Sequence, residues 1–314
     1  MPEVIALGEA LVEIMRPGKG YPLHEPGPFL GPYPSGAPAI FADAAARLGA
    51  SCAFIGCVGA DPFGDCLVNR LRADGLAVES IAVVPDAATG VAFVAYREDG
   101  SRQFVFHIAG AAAGRLGPQH VDAALVQGAR WLHITGSTLS VNASLRDACY
   151  RAVELAAQAG LQISFDPNLR AELMGADALR RLIEPVLARA TVVLPSGEEA
   201  RLLTGEADDI AACRALLARG ARLVALKQGA AGSTLFTAAE QVHVPGLRVV
   251  EVDPTGAGDC YAAGLAVALL QGWDLSRAGR FANAVGALAV TQQGPMEGAP
   301  WRAEVERLLE EQTI

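Results

Sequence analysis

Val252-Asp253-Pro254-Thr255-Gly256-Ala257-Gly258-Asp259 runs directly into Cys260-Tyr261-Ala262-Ala263-Gly264-Leu265-Ala266-Val267-Ala268-Leu269-Leu270. The second stretch is an almost unbroken run of apolar and small residues, without proline and closed by Gly272, and it predicts a helix buried on nearly all sides. A glycine-rich turn thus opens onto a buried helix. Glycines at 256 and 258 allow φ > 0 and let successive N–H groups turn inward at the positive end of the helix dipole, making a concave anion site suited to a phosphoryl group. Asp259 falls in the first turn of that helix. Two roles fit a carboxylate there: a cap for unpaired amides, or a general base that takes a proton from an attacking hydroxyl. The local residues leave both open.

With 314 residues, 52% hydrophobic and 19% charged, the chain can bury a large core and is globular. No apolar run is long enough to span a membrane and the N-terminus has no signal-peptide pattern, so the expectation is a cytoplasmic protein without a membrane partner. The cysteines (Cys52, Cys57, Cys66, Cys149, Cys213 and Cys260) form no C-x-x-C pair and have no histidine at zinc spacing, which predicts reduced core residues. A net charge of -9 argues against a nucleic-acid surface. An anionic ligand therefore needs local donors, which the glycine turn supplies.

Short apolar runs (Val4 to Leu7, Cys52 to Val58, Trp131 to Thr135, Leu161 to Phe165, Thr191 to Leu194, Leu223 to Lys227) alternate with helical patterns (Ala37 to Leu48, Gly64 to Asp74, Asn142 to Ala159, Asp177 to Ala190, Asp208 to Arg219). This predicts an α/β fold in which a mostly parallel sheet is covered on both faces, with ligands at the carboxyl ends of its strands. Two stretches break the pattern. Residues 11–34 are rich in proline and read as strands joined by loops, while 91–107 form two strand-like runs around Glu98-Asp99-Gly100-Ser101, a hairpin signal. Together they predict a small β-sheet projecting from a single domain over residues 1–314.

Among phosphate-handling motifs, a Walker A loop and a serine-hydrolase elbow are absent, and Gly256, Gly258 and Gly264 do not have dinucleotide-fingerprint spacing. Lys227-Gln228-Gly229-Ala230-Ala231-Gly232 reads, on its residues alone, first as a plain strand-turn-strand link. Asp166-Pro167-Asn168-Leu169-Arg170 is a turn whose arginine suits bidentate phosphate contact. Small residues around Asn283 permit close helix packing, in a helix that Ser276 is placed to cap.

Taken together, these segments resemble the PfkB (ribokinase-like) family of sugar kinases from about residue 3 to residue 300, most specifically at Asp253 to Asp259, where the family core is D-T-G-A-G-D. The resemblance implies a ribokinase-like three-layer α/β/α fold in which segments 11–34 and 91–107 form a lid over the sugar and often a dimer surface. It implies ATP and Mg2+ as cofactors, and relatives hold a monovalent cation such as K+ near the Asp253 loop. By position, Asp259 becomes the base, Gly256, Ala257 and Gly258 stabilise the transferring phosphate, and Thr255 and Asp253 flank them on the nucleotide and substrate sides. Lys227, Gly229, Gly232 and Asn283 fall at the nucleotide. Ser196 replaces the asparagine of an N-x-x-E motif whose Glu199 would organise magnesium waters. Asp166, Asn168 and Arg170 fall at substrate and phosphate.

The sugar-side motifs G-E-x-L-x-D and G-G-A-x-x-N correspond to Gly8 to Glu13 and Ser35-Gly36-Ala37-Pro38-Ala39-Ile40, with Glu13, Ser35 and Ile40 as departures. Phe106-His107-Ile108 stands where 2-keto-3-deoxygluconate kinases carry Y-Y-R. Isoleucine cannot pair a carboxylate, and burying that charge unpaired is costly. A neutral ketohexose such as fructose or tagatose is therefore expected. A 2-keto-3-deoxygluconate kinase, a ribokinase, a nucleoside kinase and a non-catalytic sugar or nucleotide sensor on the same fold remain as alternatives.

Overall fold

The computed structural model describes residues 1–168 and 176–312. In chain order its strands are β1 (Val4–Leu7), β2 (Leu11–Lys19), β3 (Leu30–Ser35), β4 (Cys52–Gly59), β5 (Ile81–Val84), β6 (Gly90–Tyr96) and β7 (Arg102–His107). They continue as β8 (Trp131–Thr135), β9 (Gln162–Asp166), β10 (Val192–Val193), β11 (Leu223–Lys227), β12 (Ser233–Phe236) and β13 (Gln241–Val244). Among the described residues a nine-stranded sheet runs β13-β12-β11-β10-β9-β8-β1-β4-β5. It is parallel except at one end, where β12 folds back antiparallel on β11 after Gly232 takes φ +97° and β13 pairs antiparallel with β12.

The central strands are apolar throughout because both faces are covered. In β1, Val4 and Ala6 face the core shared with helices Ala37–Arg47, Ala257–Leu270 and Leu275–Ala289, whereas Ile5 and Leu7 face helices Ala143–Ala159, Ala176–Leu187 and Asp209–Ala218. Helix Ala257–Leu270 is buried from Asp259 to Ala268. It packs so closely on Leu275–Ala289 that a Cβ at Gly264 would lie 3.1 Å from the Ala282 Cα. That second helix is capped by Asp274, whose carboxylate accepts from the Arg277 N–H at 2.9 Å, rather than by Ser276. Gly272 turns the chain left-handed, and extended backbone at Asp274 then starts the helix one residue ahead of the expected serine. The cysteines are free, and all but the half-buried Cys66 are buried. No helix among the described residues is long and apolar enough to cross a membrane.

A second sheet, four-stranded among the described residues, has the order β3-β2-β6-β7, with β2 and β6 parallel and the outer pairs antiparallel. The irregular stretch between β2 and β3 is held by buried Arg16. Its guanidinium donates to the carbonyls of Pro22 (2.9 Å), Pro28 (3.1 Å) and Glu25, and lies 4.1 Å over the Phe29 ring. One cation thereby replaces the hydrogen-bond ladder that the prolines cannot make.

A buried ionic cluster joins helices Ala37–Arg47 and Pro62–Ala73 to the turn at 296–299. Arg70 pairs with Asp74, with Asp43 (3.4 Å) and with Glu297 (3.2 Å), and donates to the Met296 carbonyl at 2.6 Å. Arg47 pairs with Asp74 at 3.0 Å and reaches the Ala299 carbonyl. Burial, with Asp74 beside it, pushes the Asp43 carboxyl well up. Asp74 is held low: burial opposes this but is outweighed by Asp43, Arg47 and Arg70. Within the cluster Asp74 thus favours its ionised form and Asp43 its neutral one. Asp43→Asn should change stability by no more than about 1 kcal/mol, since a neutral side chain of equal size replaces an acid that burial already biases to its neutral form. Arg70→Ala should cost about 3–5 kcal/mol by removing one of the two cations that hold buried Asp74, both read from urea unfolding midpoints.

Candidate active site

The strands β1, β8, β9 and β11 end on one edge of the main sheet, and the second sheet stands over that edge. Between them lies a cleft of about 410 Å³. Its floor includes the start of helix Ala257–Leu270. Gly256 takes φ +81°, and a Cβ there would sit 2.3 Å from the Pro295 carbonyl oxygen, so only glycine fits the turn. The first intrahelical amide bond is Cys260 N–H to Gly256 C=O at 2.9 Å, which leaves the preceding amides to the turn and the cleft. Gly258 departs from the expected φ > 0. It is helical, and its lack of a side chain instead makes room for the Lys227 ammonium, 3.3 Å from where a Cβ would be.

Lys227 ends β11 and is buried against Asp166, which ends β9; their ammonium and carboxylate are paired directly. Burial would lower the Lys227 pKa, but Asp166 and Glu199, with Asp259 beyond them, hold it above the ordinary ammonium value. Lys227 therefore stays charged. Behind it, buried His133 stacks on Phe41 at 3.7 Å and bonds Ser164. Burial and the Lys227 charge push its imidazole down to about 3, so no second cation competes. The Asp166 carboxylate also accepts from the Asn168 N–H at 3.2 Å, and Glu199 accepts from the Ser196 N–H at 2.7 Å. These two bonds fix the strand-end turns on the wall opposite the second sheet.

From the second sheet and β1 come carboxylates of another kind. Glu13 accepts from the Ser35 hydroxyl at 2.7 Å, and Glu9 accepts from Ser137 at 2.9 Å and from Thr138. Ile40, Phe106 and Ile108 supply the apolar walls beside them, with the backbone of Gly36 and Ala37 at the turn into helix Ala37–Arg47.

The cleft brings together Glu13, Ser35, Gly36, Ala37, Ile40, Phe106, Ile108, Asp166, Asn168, Ser196, Glu199, Lys227, Thr255, Gly256, Gly258 and Asp259. Ala257, Gly229, Gly232, Asn283 and Asp253 do not line it, and Arg170 lies outside the described residues. Gly232 is a close backbone approach, where a Cβ would meet the Val244 carbonyl at 2.2 Å. Asn283 donates to the carbonyls of Val244 (3.0 Å) and Pro245 (3.2 Å), fixing the same corner. Asp253, placed on the substrate side by its motif, is buried inside the loop and accepts from the N–H groups of Thr255 and Gly294, each at 3.0 Å. Sequence reasoning missed Arg102, Ser137 and Ser140 as lining residues. The serines follow Gly136 at the end of β8, where the strand-end rule pointed without reaching the next turn.

The donor set fits a nucleoside triphosphate with its magnesium. A glycine cradle at a helix start and a buried lysine suit phosphate oxygens. Among the described residues no cluster of three or more metal-binding side chains occurs. Glu199 lines the cleft, and magnesium binds through one or two carboxylates and substrate phosphates and keeps its waters.

Fold and site together define a phosphotransferase with an anion cradle in its cleft. The family model "pfkB family carbohydrate kinase" matches residues 1–302. Fructokinase-2 of Zea mays is 34% identical over 315 residues, covering 98% of this chain and 93% of that protein. A putative ribokinase II from E. coli in complex with ATP and Mg2+ superposes with TM-score 0.94 at 43% identity, over 99% of this chain and 100% of that one. Fructokinase from Vibrio cholerae O395, solved with fructose, ADP and calcium, gives TM-score 0.85 at 30% identity over 98% of this chain and 99% of that one. A double mutant of it, solved with fructose, ADP and potassium, gives 0.86 at 30% identity, over 98% of each chain. The chain belongs to the pfkB family of carbohydrate kinases and is an ATP-dependent kinase acting on a sugar hydroxyl.

Two left-handed glycines separate conformational strain from close approach. Gly272 has φ +74° with nothing within 4 Å of where a Cβ would stand, whereas Gly256 meets Pro295. Gly272→Ala should cost about 1–2 kcal/mol and leave turnover per folded molecule unchanged. Gly256→Ala should cost more and lower kcat at least tenfold, as measured by unfolding and ADP release in parallel.

Proposed function

We propose that this kinase phosphorylates a neutral ketohexose, fructose first, with Asp259 as the general base. The observation that carries the reading is the place of Asp259: it lies in the first turn of the helix, next to Gly258 in the anion cradle, and lines the same cleft as the hydroxyl-binding carboxylates. Glu9 and Glu13 suit a polyol, whose hydroxyls donate to carboxylates. They would repel a sugar acid, and Ile108 offers that acid no cation.

In this reading the second sheet is a lid, and its residues with Glu9 hold the sugar so that one primary hydroxyl faces Asp259. Asp259 takes the proton while the amides at 256–258 and the Lys227 ammonium stabilise negative charge on the transferring group. ATP, when bound, supplies the γ-phosphoryl group and its magnesium neutralises phosphate charge. Asp166 keeps Lys227 aimed into the cleft, and Glu199 presents a carboxylate to magnesium waters. The potassium bound by a double mutant of the Vibrio relative supports a monovalent cation as a further cofactor. The strand β7 is an exposed edge carrying Val105 and Phe106, 41% and 38% exposed, and we assign it to pairing with a second copy of the chain.

Two measurements test these readings. ADP release with Mg-ATP across fructose, tagatose, ribose, 2-keto-3-deoxygluconate and adenosine should give the highest kcat/KM with fructose, and Asp259→Asn should lower kcat about 10²–10⁴-fold with its fold intact. Turnover confined to the sugar acid would overturn the neutral-substrate reading; retained turnover in the variant would overturn the base. Light scattering after size exclusion should give twice the chain mass, falling to one chain mass in Val105→Lys.

A further inference from the structure

Tyr96 and Arg102 are direct cross-strand partners at the tip of the β6–β7 hairpin. The turn that joins them is closed by Arg97 N–H to Ser101 C=O (2.8 Å) and by Ser101 N–H to the Asp99 carboxylate (2.8 Å). Both side chains therefore leave the same face of the second sheet. Both end on the segment that precedes Gly256. The Tyr96 hydroxyl donates to Asp253 Oδ1 at 2.6 Å and lies 3.3 Å from Thr255 Oγ1; the Arg102 guanidinium donates to the same Thr255 oxygen at 3.1 Å.

What they hold is the framework of the anion loop. Asp253 is buried, and beyond Tyr96 it accepts from Thr255 N–H within the loop and from Gly294 N–H in the turn whose Pro295 carbonyl meets Gly256. Burial, then the Asp253 hydrogen bond, pushes the Tyr96 phenol up, so it remains a donor. Without that donor, a buried carboxylate loses one of its bonds and with it a constraint on the loop. Arg102 adds a permanent cation that lines the cleft beside Thr255.

We propose that Tyr96 and Arg102 are positioning residues that latch the sugar-side sheet to the phosphoryl-binding loop, so that the sheet covering the sugar also sets the geometry of Gly256 and Asp259. The latch rests on the reading of the cleft as a kinase site. Its logic is that of any site whose donors must be held within a fraction of an ångström by groups that do not themselves react. Such residues act on the transition state more than on ground-state binding, so kcat responds while the sugar KM does not.

The test uses the full-length protein, Tyr96→Phe, Arg102→Ala and Arg102→Lys, with two readouts. The first is amide hydrogen exchange in peptides covering 253–259 and Gly294, with the β11 strand as internal reference. The second is kcat and KM with Mg-ATP and the sugar that the wild type turns over. Tyr96→Phe and Arg102→Ala should each speed exchange in 253–259 and at Gly294 about tenfold with β11 unchanged, and lower kcat about ten- to hundredfold with KM for sugar within about threefold. Arg102→Lys should recover most of the kcat lost in Arg102→Ala, because it keeps a cationic donor within reach of Thr255. Unchanged loop exchange would overturn the latch, as would faster exchange with wild-type kcat. If the wild type turns over none of the sugars, the substrate reading fails, and loop exchange alone decides whether the latch exists.

Discussion

The site depends on one constraint: Gly256 takes φ +81°, which L side chains rarely adopt, and stands so near the Pro295 carbonyl oxygen that an added Cβ would lie 2.3 Å from it. That contact turns the chain from the Asp253 loop into the helix carrying Asp259. Glycine takes this turn without steric cost but is free to leave it, so its surroundings must hold it. Here they do so from two sides. Asp253 binds Thr255 and Gly294 within the site. From outside, Arg70 and Arg47 hold the carbonyls of Met296 and Ala299, so the ionic cluster between helices Ala37–Arg47 and Pro62–Ala73 buttresses the turn that presses on Gly256. A buried ionic cluster is weak evidence for stability, because hydrophobic packing of equal volume serves as well. Its value here lies in fixing backbone carbonyls, which apolar side chains cannot do.

The chain carries a net charge of -9, yet its cleft must attract a polyanion. The conflict is resolved locally. Lys227 stays protonated because Asp166, Glu199 and Asp259 surround it, while His133 behind it stays neutral. The cleft is divided: Glu9 and Glu13 are bonded to hydroxyls at one part, and Lys227, with the carboxylates that hold it, stands beside the helix start at the other. A substrate with hydroxyls at one end and phosphate at the other matches that division, whereas a uniformly charged ligand would not.

How far the sequence reveals this follows from the range of each interaction. The strands β1, β8 and β11 coincide with their apolar runs because each run is bounded by glycine or a polar residue. By contrast β10 shrinks to Val192–Val193, and β12 and β13 are four-residue strands set by antiparallel pairing that carries no local periodicity. The turn before Asp259 was legible because its chemistry is local. The reason for Gly258 was not, since its neighbour Lys227 arrives from another strand. Asp253 shows the same limit more sharply: its motif marks it as important, but its partners Tyr96 and Gly294 come from distant segments. Arg102 escaped notice because only the hairpin register puts it opposite Tyr96.

The same distinction explains the departures on the sugar side. Taken singly, Glu13 in place of aspartate and Ser35 in place of glycine each disturb a hydroxyl-binding position. In the structure they are one unit: the Ser35 hydroxyl donates to Glu13 at 2.7 Å, so the longer acid is held by the side chain that the glycine would lack. The two changes compensate, and the carboxylate still enters the cleft in a fixed orientation. Ile40, in place of asparagine, is of another kind. Its Cγ2 would lie 3.3 Å from a Cβ on Gly256, so it gives up a polar contact to sugar and packs against the anion loop instead. In the proposed reading, a sugar held by Glu9 and the Glu13–Ser35 unit, with an apolar wall at Ile40, has fewer donors around it than the family motif supplies. Discrimination between ketohexoses must then rest more on shape, through Phe106 and Ile108, than on a full set of hydrogen bonds. An apolar wall rejects a misplaced hydroxyl only weakly, so this arrangement favours a broader sugar range than the family motif would allow.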